Sequence, residues 1–212
     1  MGRGSDDELV RRLLKTAGTT YADEANIRLK DQPMPLFQLL TLCMLASKPI
    51  DAAIAVQAAR ELFRAGLRTP DAVLKADRAD MISAFGRAHY VRYDESSATR
   101  LADIAAAVRD DYGGDLRRLA THDVTGTARL LKRFKGIGDT GSDIFLREIQ
   151  DVWTWARPYF DSRASTAARQ LGLPTDPAKL GALAPRNNAK LAAALVRVSL
   201  DDELRDKVAS PS

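Results

Sequence analysis

Apolar residues along this chain recur at helical spacing, and nowhere do they alternate convincingly in the two-residue rhythm of a strand. The pattern therefore predicts an all-α protein. MPLFQLLTLCMLA reads as a helix with Pro35 in its first turn. In IDAAIAVQAARELFRAG, apolar Ile54, Ala55, Ala58, Leu62 and Phe63 mark a helical face and Gly66 stops it. Thr69 and Pro70 have the character of an N-cap and first helical residue, for a short helix ending near Ala76. Ser5 with Glu8 forms a capping box ahead of LVRRLL, which predicts a helix start there. RADMISAFGRA is a further short helix, and SSATRLADIAAAVRDDYGG a long one stopped by Gly113 and Gly114. THDVTGTARLLKRFKGIG leads into DTGSDIFLREIQ, and DSRASTAARQLGLP, DPAKLGALA and NNAKLAAALVRVSLDDELRDKV follow. The bulky stretch WTWARPYF with Pro158 is the strongest internal boundary.

Composition narrows the class. With 212 residues, the chain forms one compact domain or two small lobes, and 45% hydrophobic against 28% charged residues excludes a disordered protein. A formal charge of +4 is compatible with nucleic acid without demanding it. The single cysteine, Cys43, excludes an intramolecular disulfide, a CxxC pair and a four-cysteine cluster; it reads as a small core residue. His89 and His122 lack ligand spacing, so no metal site is expected. No segment reaches the roughly 18 apolar residues of a membrane span, and the N-terminal residues lack an apolar leader core. A cytoplasmic protein is expected.

The stretch FKGIGDTGSDIF, residues 134–145, supports two readings. Gly136 and Gly138 permit a very tight turn between two helices, whose bare backbone N–H groups could meet a phosphate with the help of the following helix dipole. Ile137 would then tuck inward and lock the helices together. Alternatively, Gly136 ends one helix and Asp139 or Thr140 caps the next.

Context links these segments. PLFQLLTLCMLASKPIDAAIAVQAARELF, the 81–114 segment, LLKRFKGIGDTGSDIFL and FDSRASTAARQLGLP follow one another as in the helix-hairpin-helix DNA glycosylases of the endonuclease III type. The chain resembles that family from Pro35 to about Leu173, two-thirds of its length. The resemblance implies two helical lobes with a DNA-binding cleft between them. Residues 35–145 would form a continuous lobe ending in the hairpin, and residues 1–34 with 146–212 the other.

By the same resemblance, Asp161 would stabilise the sugar cation or activate water during base release. Its alternative is a helix N-cap ahead of SRASTAARQLG. Gly136, Ile137 and Gly138 would hold a phosphate, with Lys132, Arg133 and Lys135 nearby. Lys48, in ASKPID, matches a turn that fills the gap left by an extruded base. The family's Schiff-base lysine is replaced by Thr140, so strand cleavage by that route is not expected. The family's four cluster cysteines are also missing, so no iron–sulfur cluster is expected, while a monovalent cation at the hairpin fits.

Asp139 and Asp143 place negative charge where a phosphate would sit. The implied protein is a monomeric, monofunctional glycosylase acting on duplex DNA with a damaged or mispaired base, nucleoid-associated in a bacterium. The competing reading is a non-catalytic helix-hairpin-helix module binding DNA or protein. Burial of Asp161 under packed side chains would count against catalysis.

Overall fold

The computed structural model describes residues 3–210, and among them every regular element is a helix. The chain divides into two units, each described by itself: Tyr21–Phe145, and the described parts of Met1–Thr20 with Leu146–Ser212.

The central unit is built around α3 (Pro33–Ala46), which follows the single turn α2 (Tyr21–Glu24). Every residue of α3 from Pro35 to Leu45 is buried. A helix that is apolar on all sides has to be surrounded, and here α4 (Ala52–Arg64) and α7 (Asp94–Tyr112) pack on it. Between these lie α5 (Pro70–Lys75) and α6 (Arg78–Arg87). A 3-10 turn at Leu116–Leu119, α8 (Val124–Leu131) and the first part of α9 (Asp139–Ile149) complete the unit.

Local chemistry sets these boundaries. The Thr69 hydroxyl accepts the Ala72 N–H at 3.2 Å, Asp51 caps α4 through Ala53, and Gly113 ends α7 in the left-handed conformation. Ser5 behaves differently from the capping-box expectation. The helix α1 (Arg3–Ala17) is already formed at Arg3, so Ser5 lies inside it. The Glu8 carboxylate pairs with Arg11 and Arg12 along the helix.

In the terminal unit, α12 (Asn188–Leu200) is the central helix. Around it stand α1, α10 (Ser162–Gln170) and α13 (Asp202–Ala209), with α11 (Pro177–Ala182) preceding it. Ala164, Ala168 and Ala194 let backbones approach closely, while Leu9, Leu13, Leu191 and Leu195 fill the core. The Arg12 Nε–H donates to the Val208 carbonyl at 2.9 Å, fastening the two ends of the chain.

Two sequence boundaries shift. Residues 21–34 group with the central unit rather than with the terminal helices, because α2 packs on α3 and Tyr21, Ala22 and Ile27 are buried. The WTWARPYF stretch is not a division between units. It contains a 3-10 turn (Thr154–Ala156), and the Gln150 side chain holds both the N–H and the carbonyl of Tyr159, at 2.8 and 2.9 Å.

Candidate nucleic-acid interface

The α8–α9 connection is a helix-hairpin-helix turn. Asp123 starts α8 by accepting the Gly126 N–H, and the helix runs out at Lys132. Gly136 has φ +92°, in the region that favours glycine, and a Cβ there would stand 2.6 Å from Cδ of Arg100. The Ser47 hydroxyl, whose shorter hydrogen bond goes to the Met44 carbonyl at 2.9 Å, also lies 3.3 Å from the Gly136 carbonyl, so the turn sits against the end of α3. Ile137 is buried, with its N–H donated to Phe134 O at 3.0 Å, and its side chain lies against Gly141.

Gly138 differs from Gly136. It has an ordinary φ, and a Cβ would meet nothing within 4 Å. Its carbonyl accepts the Ser142 N–H, which puts Gly138 at the N-cap position of α9. Glycine brings no side chain to cap with, so that position offers the first-turn N–H groups no acceptor. Gly138, Asp139 and Thr140 are all exposed. The positive end of α9 thus faces outward over bare backbone.

The surrounding charge is mixed. Lys132 Nζ lies 2.9 Å from Asp139, and Lys135 Nζ lies 3.5 Å from Asp103. Arg133 is exposed and makes no ion pair among the described residues. Asp143 is half-buried one turn into α9.

Beside the hairpin, Lys48 follows Ser47 at the end of α3. Its ammonium stands 5.9 Å from the Tyr93 ring centre, and the Arg92 guanidinium 5.3 Å from the same ring. Partial burial, and then the charge of Arg100, hold the Lys48 pKa below its ordinary value. Lys48 thus lies beside the hairpin. Arg100, Arg92 and Ser47 join them without any local sequence signal. Of the other aromatics, Tyr90 is fully buried, and Trp153 is buried and stacked on Trp155 at 5.5 Å.

Asp161 lies in the terminal unit, and both its oxygens are taken. Oδ1 accepts the Ala164 N–H at 2.8 Å as the N-cap of α10, and Oδ2 accepts from Arg147 Nη1 at 2.7 Å. The two side chains are 5% and 4% exposed. Glu148 carboxylate oxygen stands 4.0 Å from Arg147 Nε. The carboxylate is therefore spent on a helix end and an internal ion pair, the circumstance in which catalysis was not expected. Arg147 was missed by sequence reading, as a lone arginine in an amphipathic helix carries no such signal.

The donor set does not fit an iron–sulfur cluster, since Cys43 is the one thiol and is fully buried within α3. No group of three or more metal-ligating side chains converges among the described residues. No helix among them is long and apolar enough to cross a membrane.

A scan of protein-family models matches none, and a search of curated proteins finds no match. Among solved structures, a non-covalent endonuclease III–DNA complex is similar with a TM-score of 0.56 and 14% identity, over 92% of this chain and 83% of that one. A trapped endonuclease III–DNA covalent intermediate reaches 0.49 at 14% identity, over 91% and 85%, below the level from which a shared fold is argued. The chain thus shares its all-α fold with the endonuclease III of the non-covalent complex.

Proposed function

We propose that this chain binds duplex DNA through the phosphate backbone at its α8–α9 hairpin, without breaking a glycosidic bond at Asp161. The observation that carries the reading is the hairpin itself. Ile137 is anchored inside, whereas Gly138 and the start of α9 present uncapped backbone outward. Lys48, Arg92 and Arg100 lie beside this turn and supply positive charge, which favours a polyanion that is held rather than read base by base. The similar endonuclease III structure is a DNA complex, which agrees with this.

The non-catalytic half of the proposal rests on Asp161. A carboxylate paired with a buried guanidinium carries little net field to stabilise a sugar cation, and each of its oxygens already accepts a hydrogen bond. Thr140, an alcohol, forms no Schiff base, so lyase chemistry at that position is also excluded from the proposal.

One observation favours a second reading, a monofunctional glycosylase acting on damaged or mispaired bases. Asp161 caps the helix that follows α9 in a fold shared with endonuclease III. Catalysis would then require the Arg147 pair to open.

The test uses the wild-type chain and Asp161→Asn on duplexes carrying uracil, alkylated, oxidised or mismatched bases, followed by alkali. Salt-dependent binding with no abasic product from either protein is expected. Product from wild type that vanishes in Asp161→Asn would replace the proposal with the glycosylase reading. No binding at low salt would remove DNA altogether.

A further inference from the structure

A cavity of ≈ 320 Å³ opens in the central unit where the N-terminal end of α3 meets the C-terminal half of α4. Arg28, Arg60, Arg64 and Arg68 line it, with Met34 and Phe63 forming an apolar wall. No carboxylate is among its lining residues. Four arginines around one small cavity make it locally cationic and attractive to a counter-charge.

Among the described residues, one of the four has a carboxylate partner. Arg64 pairs with the buried Glu61, which also accepts Arg87 Nε at 2.9 Å and Gln57 Nε2 at 3.2 Å. The Arg87 hydrogen bond foremost holds the Glu61 pKa below its ordinary value. Glu61 is thus already saturated. Arg60 Nε is buried with no hydrogen-bond partner. Arg28 forms no ion pair among the described residues, and Arg68 bonds only a carbonyl, that of Phe63, at 2.7 Å. Three of the arginines that line the cavity therefore have no acid partner among the described residues.

The end of α3 adds to them. Gln32, at its N-cap, makes no capping hydrogen bond, and Pro33 and Pro35 have no N–H to offer. Met34 and Pro35, in the first turn of α3, line the cavity, so the positive end of the helix dipole lies beside it. α3 has 14 residues, about 20 Å of helix, so this cavity and the Ser47–Gly136 contact lie at its opposite ends. One phosphate cannot touch both.

We propose that this cavity is a second anion site, built for a multiply charged phosphate group. Guanidinium forks match phosphate oxygens in pairs, which lysines do not, and all four basic residues here are arginines. The phosphate comes either from a free polyphosphate or from the backbone of a nucleic acid.

The experiment compares the full chain with the Arg28→Gln/Arg60→Gln double variant, using inorganic pyrophosphate and a plain DNA duplex as separate probes. Neither arginine supports another part of the protein, so the circular dichroism and melting temperature of the variant should match or exceed those of the wild type. Isothermal titration at low salt should show saturable pyrophosphate binding that weakens about tenfold or more in the variant. That result assigns the site to a free polyphosphate. If pyrophosphate fails to bind but duplex affinity falls by a similar factor, the site is confirmed with the backbone as its source. If neither probe distinguishes the two proteins, the proposal is overturned. The pyrophosphate measurement stands even if the hairpin binds no DNA, so the two readings fail separately.

Discussion

Arg147 Nη1 and Asp161 Oδ2 lie 2.7 Å apart, with scarcely any of either side chain in contact with water. Such a pair is costly to break from one side, because the remaining charge stays buried. Arg147→Met should destabilise the chain by about 3–5 kcal/mol, while Arg147→Met/Asp161→Leu should recover part of that loss, because Glu148 still lacks its cation and α10 its cap. Urea unfolding of the two variants checks this. A single variant as stable as wild type would mean that Asp161 is free for other work.

The two hairpin glycines should separate cleanly. Gly136→Ala has both a positive φ and a clash with Arg100 to overcome, so a loss of about 1–2 kcal/mol or more in stability is expected. Gly138→Ala meets neither obstacle and should melt like wild type. Its added methyl would instead stand where a phosphate approaches, and duplex affinity measured by fluorescence anisotropy should fall. Unchanged affinity in Gly138→Ala would argue against the hairpin as the contact.

What could be read from the chain beforehand are the properties that single residues carry with them. Gly136, Ile137 and Gly138 announced a turn because glycine's freedom and isoleucine's aversion to water are properties of single residues. Thr69 and Gly113 were legible for the same reason. Ser5 misled because a capping box is also a good interior helix sequence, and α1 simply begins earlier. WTWARPYF misled because bulky residues near a proline resemble a linker, whereas Gln150 ties that stretch down from nine residues away. The partners Arg147, Arg100 and Ser47 were invisible, since their roles depend on distances that only the folded chain creates.

Charge around the hairpin offers a third test. Asp139 holds Lys132 in an exposed ion pair, which is worth little to stability but removes one cation from the outer face. Asp139→Asn should leave the melting temperature nearly unchanged and tighten duplex binding several-fold. The slope of log K against log salt should steepen by about 0.9 as Lys132 becomes free for a phosphate. A slope identical to wild type would place Lys132 outside the contact.

Lys48 provides the pH dependence. Burial and Arg100 lower its pKa from 10.5, so the unfolded chain holds this proton more firmly than the folded one. The charged form therefore costs stability at neutral pH, and stability should rise as pH climbs through the folded-state value toward 10.5. A phosphate beside the ammonium would reverse the shift. In NMR titrations of 13C-methylated lysines, Lys48 should titrate below the exposed lysines and move upward when duplex DNA is added. A titration that DNA leaves in place would remove Lys48 from the interface.

Ile137 is buried, and Arg100 and Met44 pack on Gly136, so parts of the chain far apart in sequence meet at the turn. A turn packed in this way surrenders almost no backbone freedom when a ligand arrives, whereas a loose loop would lose about 1–2 kcal/mol for each residue it had to order. Weak affinity for DNA, should it be measured, would then have a single source. It would reflect how much of the local positive charge is already committed to Asp103 and Asp139, and substituting those two acids would strengthen binding without any redesign of the turn.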